Sequence, residues 1–99
     1  MSATVRIQID DTSPPAFAFV KGRDLWALRE LIQAGERGCT PLERIGPRWS
    51  AYVFNLRRLG LVIETIREAH GGQYAGHHAR YVLRSRVRIL DGEAVGMAA

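Results

Sequence analysis

Thr40-Pro41-Leu42-Glu43, then Gly46-Pro47-Arg48-Trp49-Ser50, then Asn55-Leu56-Arg57-Arg58-Leu59-Gly60-Leu61 is the stretch that decides the fold of this 99-residue chain. Thr40 offers a hydroxyl N-cap, Pro41 suits the first helical position, and Glu43 reaches back from the third, which together make a capping box. Gly46-Pro47 ends that short helix, and Pro47 also fits the first turn of the next. The second helix is predicted over Pro47 to Leu59. At about 100° per residue, Trp49, Tyr52, Val53, Leu56 and Leu59 gather on one side of it. Ser50, Ala51, Phe54, Arg57 and Arg58 take the other side, with Arg48 and Asn55 at a boundary. Gly60 supplies a left-handed stop. A helix built this way is docked by its apolar face and leaves a cationic face free.

Working outward, the chain after Leu61 turns β-branched through Val62, Ile63, Thr65 and Ile66 to Glu68. A glycine-rich tip from His70 to His78 follows, and Ala79 to Ser85 returns as a second strand, so this segment reads as a long β-hairpin. Val87, Ile89 and Leu90 either extend the return strand or pair with an N-terminal one. Upstream, Asp24 is a suitable N-cap and Gly35 a suitable stop for a first helix. Leu25, Leu28 and Ile32 form its core-facing stripe, with Leu31 at the border. Gly38 and Cys39 read as a short extended link. Thr4 to Ile9 alternates apolar and polar side chains, the pattern of a half-buried strand. Asp10 to Pro15 breaks it, and Phe17 and Phe19 flank Ala18 in a second short run. These first twenty residues read as an arm or an added hairpin.

Ninety-nine residues suffice for one domain with a core that needs neither disulfide nor metal. The single cysteine, Cys39, forms no internal bridge, no signal peptide is legible, and no apolar run is long enough to span a bilayer. A cytoplasmic setting is expected. The net charge of +4 is unevenly spread. Residues 1–43 carry five cations against six acids, whereas residues 44–90 carry nine arginines against only Glu64 and Glu68. A basic half of this kind is the electrostatic footprint of a polyanionic partner.

Three places offer chemistry. On the second helix, arginine reads guanine through O6 and N7 or clamps phosphates, Asn55 pairs with adenine, and Ser50 bonds a phosphate. Phe54 on that face meets thymine methyls, packs under the hairpin, or enters a dimer interface. Arg44 is placed to clamp a phosphate from the preceding turn. At the hairpin tip, Gln73, Tyr74, His77, His78 and Arg80 combine donors and an aromatic ring suited to backbone contact. His70, His77, His78 and Cys39 have metal-ligating atoms, but their spacing matches no zinc pattern, and no metal or other cofactor is expected. Nothing resembles a phosphate loop or nucleophile elbow, so catalysis is not expected. Cys39 reads as a small buried filler.

Thr40 to Glu43, Gly46 to Val53, and the segment Leu56-Arg57-Arg58-Leu59-Gly60-Leu61-Val62-Ile63-Glu64-Thr65 together resemble a largely uncharacterised family of small bacterial and phage-type winged-helix domains. The closing run His78 to Leu83 is similar to the end of that family's wing. The likeness covers residues 23–85 and implies an α+β winged helix-turn-helix fold, three helices plus a β-hairpin wing, here with an N-terminal β arm. By class it implies binding to double-stranded DNA. The expected organisation is an arm over residues 1–22, the winged-helix domain over 23–90, and a flexible tail over 91–99. The contact set is then Arg44, Arg48, Ser50, Ala51, Phe54, Asn55, Arg57, Arg58, Gln73, Tyr74, His77, His78 and Arg80. A homodimer is a further expected partner state, and neither a membrane nor a small-molecule substrate is expected. The competing reading is a winged-helix interaction or dimerisation module that binds no DNA.

Overall fold

The computed structural model describes residues 4–40, 48–70 and 76–90. The alternating N-terminal run forms strand β1 (Thr4–Ile9), and the Asp-Asp-Thr-Ser-Pro-Pro turn returns it as β2 (Ala16–Lys21). The two pair antiparallel, with Val5 opposite Val20 and Ile7 opposite Ala18. A short strand β5 (Val87–Ile89) joins the other edge of β1, so the sheet order is β2-β1-β5. Of the two courses open to Val87 and Ile89, pairing with the N-terminal strand is the one taken. Val5, Ile7, Ile9 and Val20 lie in the same hydrophobic cluster as both helices, so the N-terminal hairpin contributes directly to the core.

Helix α1 (Gly22–Ala34) starts two residues before the expected cap. Lys21 holds the cap position, and Asp24 lies in the first turn, where a carboxylate is favoured by the helix dipole. Gly35 ends the helix as expected, its φ of 59° suiting glycine and its N–H bonding to Leu31. The buried stripe is Leu25, Ala27, Leu28 and Leu31, and Ile32 is exposed rather than core-facing. The expected stripe was therefore rotated by one position. A single 3₁₀ turn (Gly35–Arg37) leads to the extended link, where Cys39 and Tyr81 exchange backbone hydrogen bonds of 2.8 and 2.9 Å. Gly38 permits that approach: a Cβ there would lie 2.6 Å from the Tyr81 carbonyl oxygen. Cys39 is fully buried, in line with its reading as a filler, and so is Thr40. The short helix expected after Thr40 lies outside the described residues.

Helix α2 (Trp49–Arg58) is shorter at both ends than the predicted span. It closes in a Schellman arrangement, with Gly60 N–H bonding to Arg57 O at 3.0 Å and Leu61 N–H to Leu56 O at 3.4 Å. Gly60 has φ 106°, so the glycine does act as the left-handed stop. Strands β3 (Ile63–His70) and β4 (Gly76–Leu83) form the expected hairpin, in register from Ile63 opposite Leu83 to His70 opposite Gly76. The strands run further toward the tip than the sequence indicated. No helix among the described residues is long and apolar enough to cross a membrane.

Candidate nucleic-acid interface

The back of α2 is fixed by large side chains. Trp49, Tyr52, Val53 and Leu56 are buried, and burying each such side chain is worth roughly 1.5–3 kcal/mol. The Trp49 ring stacks on Tyr81 of β4 at 6.2 Å and lies 5.4 Å from Trp26 of α1, so one aromatic cluster joins both helices to the hairpin. With that face committed, Arg48, Ser50, Phe54, Asn55, Arg57 and Arg58 are exposed and Ala51 is half-buried. Arg48 takes the left-handed conformation at the cap position, φ 66°, and its carbonyl accepts from the N–H groups of Ala51 and Tyr52.

These side chains are not equivalent. Arg57 turns toward the hairpin, where its Nη2 donates to Ile63 O at 2.5 Å and Thr65 Oγ1 at 2.8 Å, and its Nε donates to Ile63 O at 3.2 Å. Asn55 turns the other way and donates to Asp24 of α1 at 3.2 Å. Both residues were expected as base or phosphate contacts, and in the structure both are engaged within the protein. Ser50, Phe54 and Arg58 point between these two, on successive turns of the helix. The Arg58 guanidinium lies 5.8 Å from the centre of the Phe54 ring.

The hairpin sorts its charges by face. On one face Glu64 pairs with Arg84 at 2.7 Å, and Glu68 pairs with Arg80 at 2.6 Å. His78 Nε2 lies 3.0 Å from the same Glu68, and Arg80 also donates to the Arg37 carbonyl. Arg80, reinforced by His78, holds the Glu68 carboxyl below the usual carboxylate range. His78 and Arg80, both expected at the contact surface, are thus drawn into an internal network. The opposite face carries Thr65, which Arg57 touches, and Arg67 two residues on. No acidic group pairs with Arg48, Arg58 or Arg67 among the described residues. Arg67 was missed in the sequence because its face is defined only once Thr65 is known to face α2. The even spacing from Thr65 was the available signal. Arg44, Gln73 and Tyr74 lie outside the described residues, as does the side chain of His77.

A polar knot fixes the base of this assembly. The Ser85 hydroxyl donates to Asp11 at 2.5 Å and accepts from the Val62 N–H at 2.7 Å, while Asp11 also accepts from the Arg86 N–H. Beside it, Asp10 accepts from Gln8 and pairs with Arg88. The hydrogen bond from Ser85, then that from the Arg86 backbone, lowers the pKa of Asp11 from its ordinary value. Among the described residues no group of three histidine, cysteine or acidic side chains converges to hold a metal ion.

Neither curated proteins nor solved structures yield a match. A family model described as a winged helix domain matches residues 17–93, from within β2 to beyond β5. That span takes in α1, α2, the β3-β4 hairpin and the strand that closes the N-terminal sheet, and by it the chain belongs to the winged helix domain family.

Proposed function

We propose that this chain binds duplex DNA without catalysis, as a transcriptional regulator or a phage-related DNA-binding protein does. The observation that carries this is the outer face of α2, where Arg48, Ser50, Phe54 and Arg58 are exposed on a helix anchored by four buried side chains. An α-helix fits the major groove, and arginine serves there both as a base reader and as a phosphate clamp. In this reading α2 enters the groove, and the Thr65–Arg67 face of the hairpin lies along the adjacent backbone. Arg57 and Asn55 set the orientation of α2 instead of reading bases.

Titrating a labelled mixed-sequence duplex and following anisotropy against salt tests this. If Arg44, Arg48 and Arg67 neutralise three phosphates, affinity falls roughly 40-fold between about 50 and about 200 mM salt. Absence of binding at the lower salt refutes the reading. It would favour the second one, a dimerisation module, for which the observation is that Phe17 and Phe19 are 54% and 64% exposed on the edge strand β2. A mass that rises with protein concentration would then follow.

A further inference from the structure

We infer that Phe54 is a specificity-determining residue that reads the C5-methyl group of thymine, with Arg58 reading a guanine close by. This rests on the DNA reading above and adds what α2 selects. Phe54 is 59% exposed and lies at the middle of the row Ser50, Phe54, Arg58, each four residues from the next. Arg57 and Asn55, on either side of that row, are tied to β3 and α1. The groove-facing part of the helix is therefore narrow, and an aromatic ring is its centre.

The chemistry of the major groove limits what such a ring can recognise. Donors and acceptors line most of the base edges, and the thymine methyl is the apolar feature among them. A phenyl ring makes no hydrogen bond, so against guanine, adenine or cytosine it leaves a polar edge desolvated and unpaired. Against thymine it buries methyl against ring. Ala51, one turn earlier and half-buried, widens the apolar contact on the same side.

Arg58 completes the pattern. Its guanidinium lies alongside the Phe54 ring at 5.8 Å, an arrangement that narrows the conformations of a long side chain before any base is met. Its fork then matches the O6 and N7 acceptors of guanine. Four helical residues advance about 6 Å along the axis, or about two base steps of roughly 3.4 Å. The preferred site should place its guanine within that distance of the thymine.

The test uses a duplex enriched from a randomised pool by the wild-type protein, prepared once with thymine and once with deoxyuridine at every thymine position. Uracil pairs as thymine does and lacks only the methyl. Wild type should bind the uracil form about fourfold more weakly for each methyl in contact. Phe54→Ala should bind both forms equally, and no more tightly than wild type binds uracil DNA. Equal binding of the two forms by wild type overturns the inference, and so does a thymine preference that survives in Phe54→Ala. A pool that yields no bound duplex at low salt overturns the DNA reading itself, which keeps the two failures apart. The wild-type comparison needs no variant and stands whatever Phe54→Ala does to folding.

Discussion

Arg57 and Arg58 are neighbours in sequence and both expected at the contact surface, yet the structure gives them different surroundings, and alanine substitutions separate them. Arg57 makes three donor contacts to two acceptors, the Ile63 carbonyl and the Thr65 hydroxyl. Hydrogen bonds from a charged donor contribute about 1.5–3 kcal/mol when protected, but water competes for an exposed guanidinium, so the whole set is worth about 1–2 kcal/mol. For a domain of this size each kcal/mol lowers the melting temperature by roughly 4–8 °C, so Arg57→Ala should melt roughly 5–15 °C below wild type. Arg57→Lys keeps the charge but not the planar fork and should fall between the two. Among the described residues Arg58 has no hydrogen bond or ion pair and lies only beside the Phe54 ring as a ring contact, so its removal should change stability by less than about 0.5 kcal/mol while weakening DNA binding. Thermal melts by circular dichroism, run beside the anisotropy titration, read both effects. The reasoning is refuted if Arg57→Ala melts with wild type, or if Arg58→Ala loses as much stability as Arg57→Ala.

Two further outcomes follow from the ties beneath the interface. Gly38→Ala meets the Tyr81 carbonyl at 2.6 Å with a backbone φ of 73° and should cost about 3–5 kcal/mol, from strain plus the two bonds of the Cys39–Tyr81 bridge. Gly35→Ala, at φ 59° with nothing within 4 Å of its Cβ, should cost only the strain of about 1–3 kcal/mol, so equal urea midpoints for the two variants contradict this account. Asp11, with its pKa lowered by Ser85 and the Arg86 N–H, stabilises the fold above its unfolded pKa of about 4, and loses that contribution as pH falls through the lower folded pKa. The melting-temperature gap between wild type and Asp11→Asn should therefore narrow on acidification below about pH 4, and a gap that stays constant rules the linkage out.

What was legible in the sequence was whatever a local period or a local stop encodes. The apolar side of α2 was read correctly because Trp49, Tyr52, Val53 and Leu56 repeat at helical spacing, and Gly60 announced its end. The hairpin was legible from its β-branched runs. The start of α1 was not, because Asp24 is as suitable in a first turn as at a cap, and the difference depends on where β2 releases the chain. Ile32 and Leu31 exchanged roles for a similar reason: adjacent positions differ little in a periodicity, and packing against the sheet decides between them. The pairing of β5 with β1 joins residues about eighty apart in sequence, which no window of the sequence contains.

The candidate site follows the same division, and that has a consequence for which arginines matter. Exposure of the outer face of α2 was foreseeable, since it is the complement of the buried stripe. Which cations on it remain available was not, because availability is set by partners remote in sequence. Arg57 is claimed by β3, Arg80 by Glu68 and the Arg37 carbonyl, and Arg84 by Glu64. The basic composition of residues 44–90 therefore overstates the charge offered to a polyanion, part of it being spent on holding the hairpin together and against α2. The Arg57 contacts, together with the stacking of Trp49 on Tyr81, fix the angle between helix and hairpin, and that angle decides whether a helix in the groove and a strand on the backbone can meet one duplex together. Among the described residues the engaged arginines are thus a condition for outward ones such as Arg48, Arg58 and Arg67 to offer their charge at defined positions.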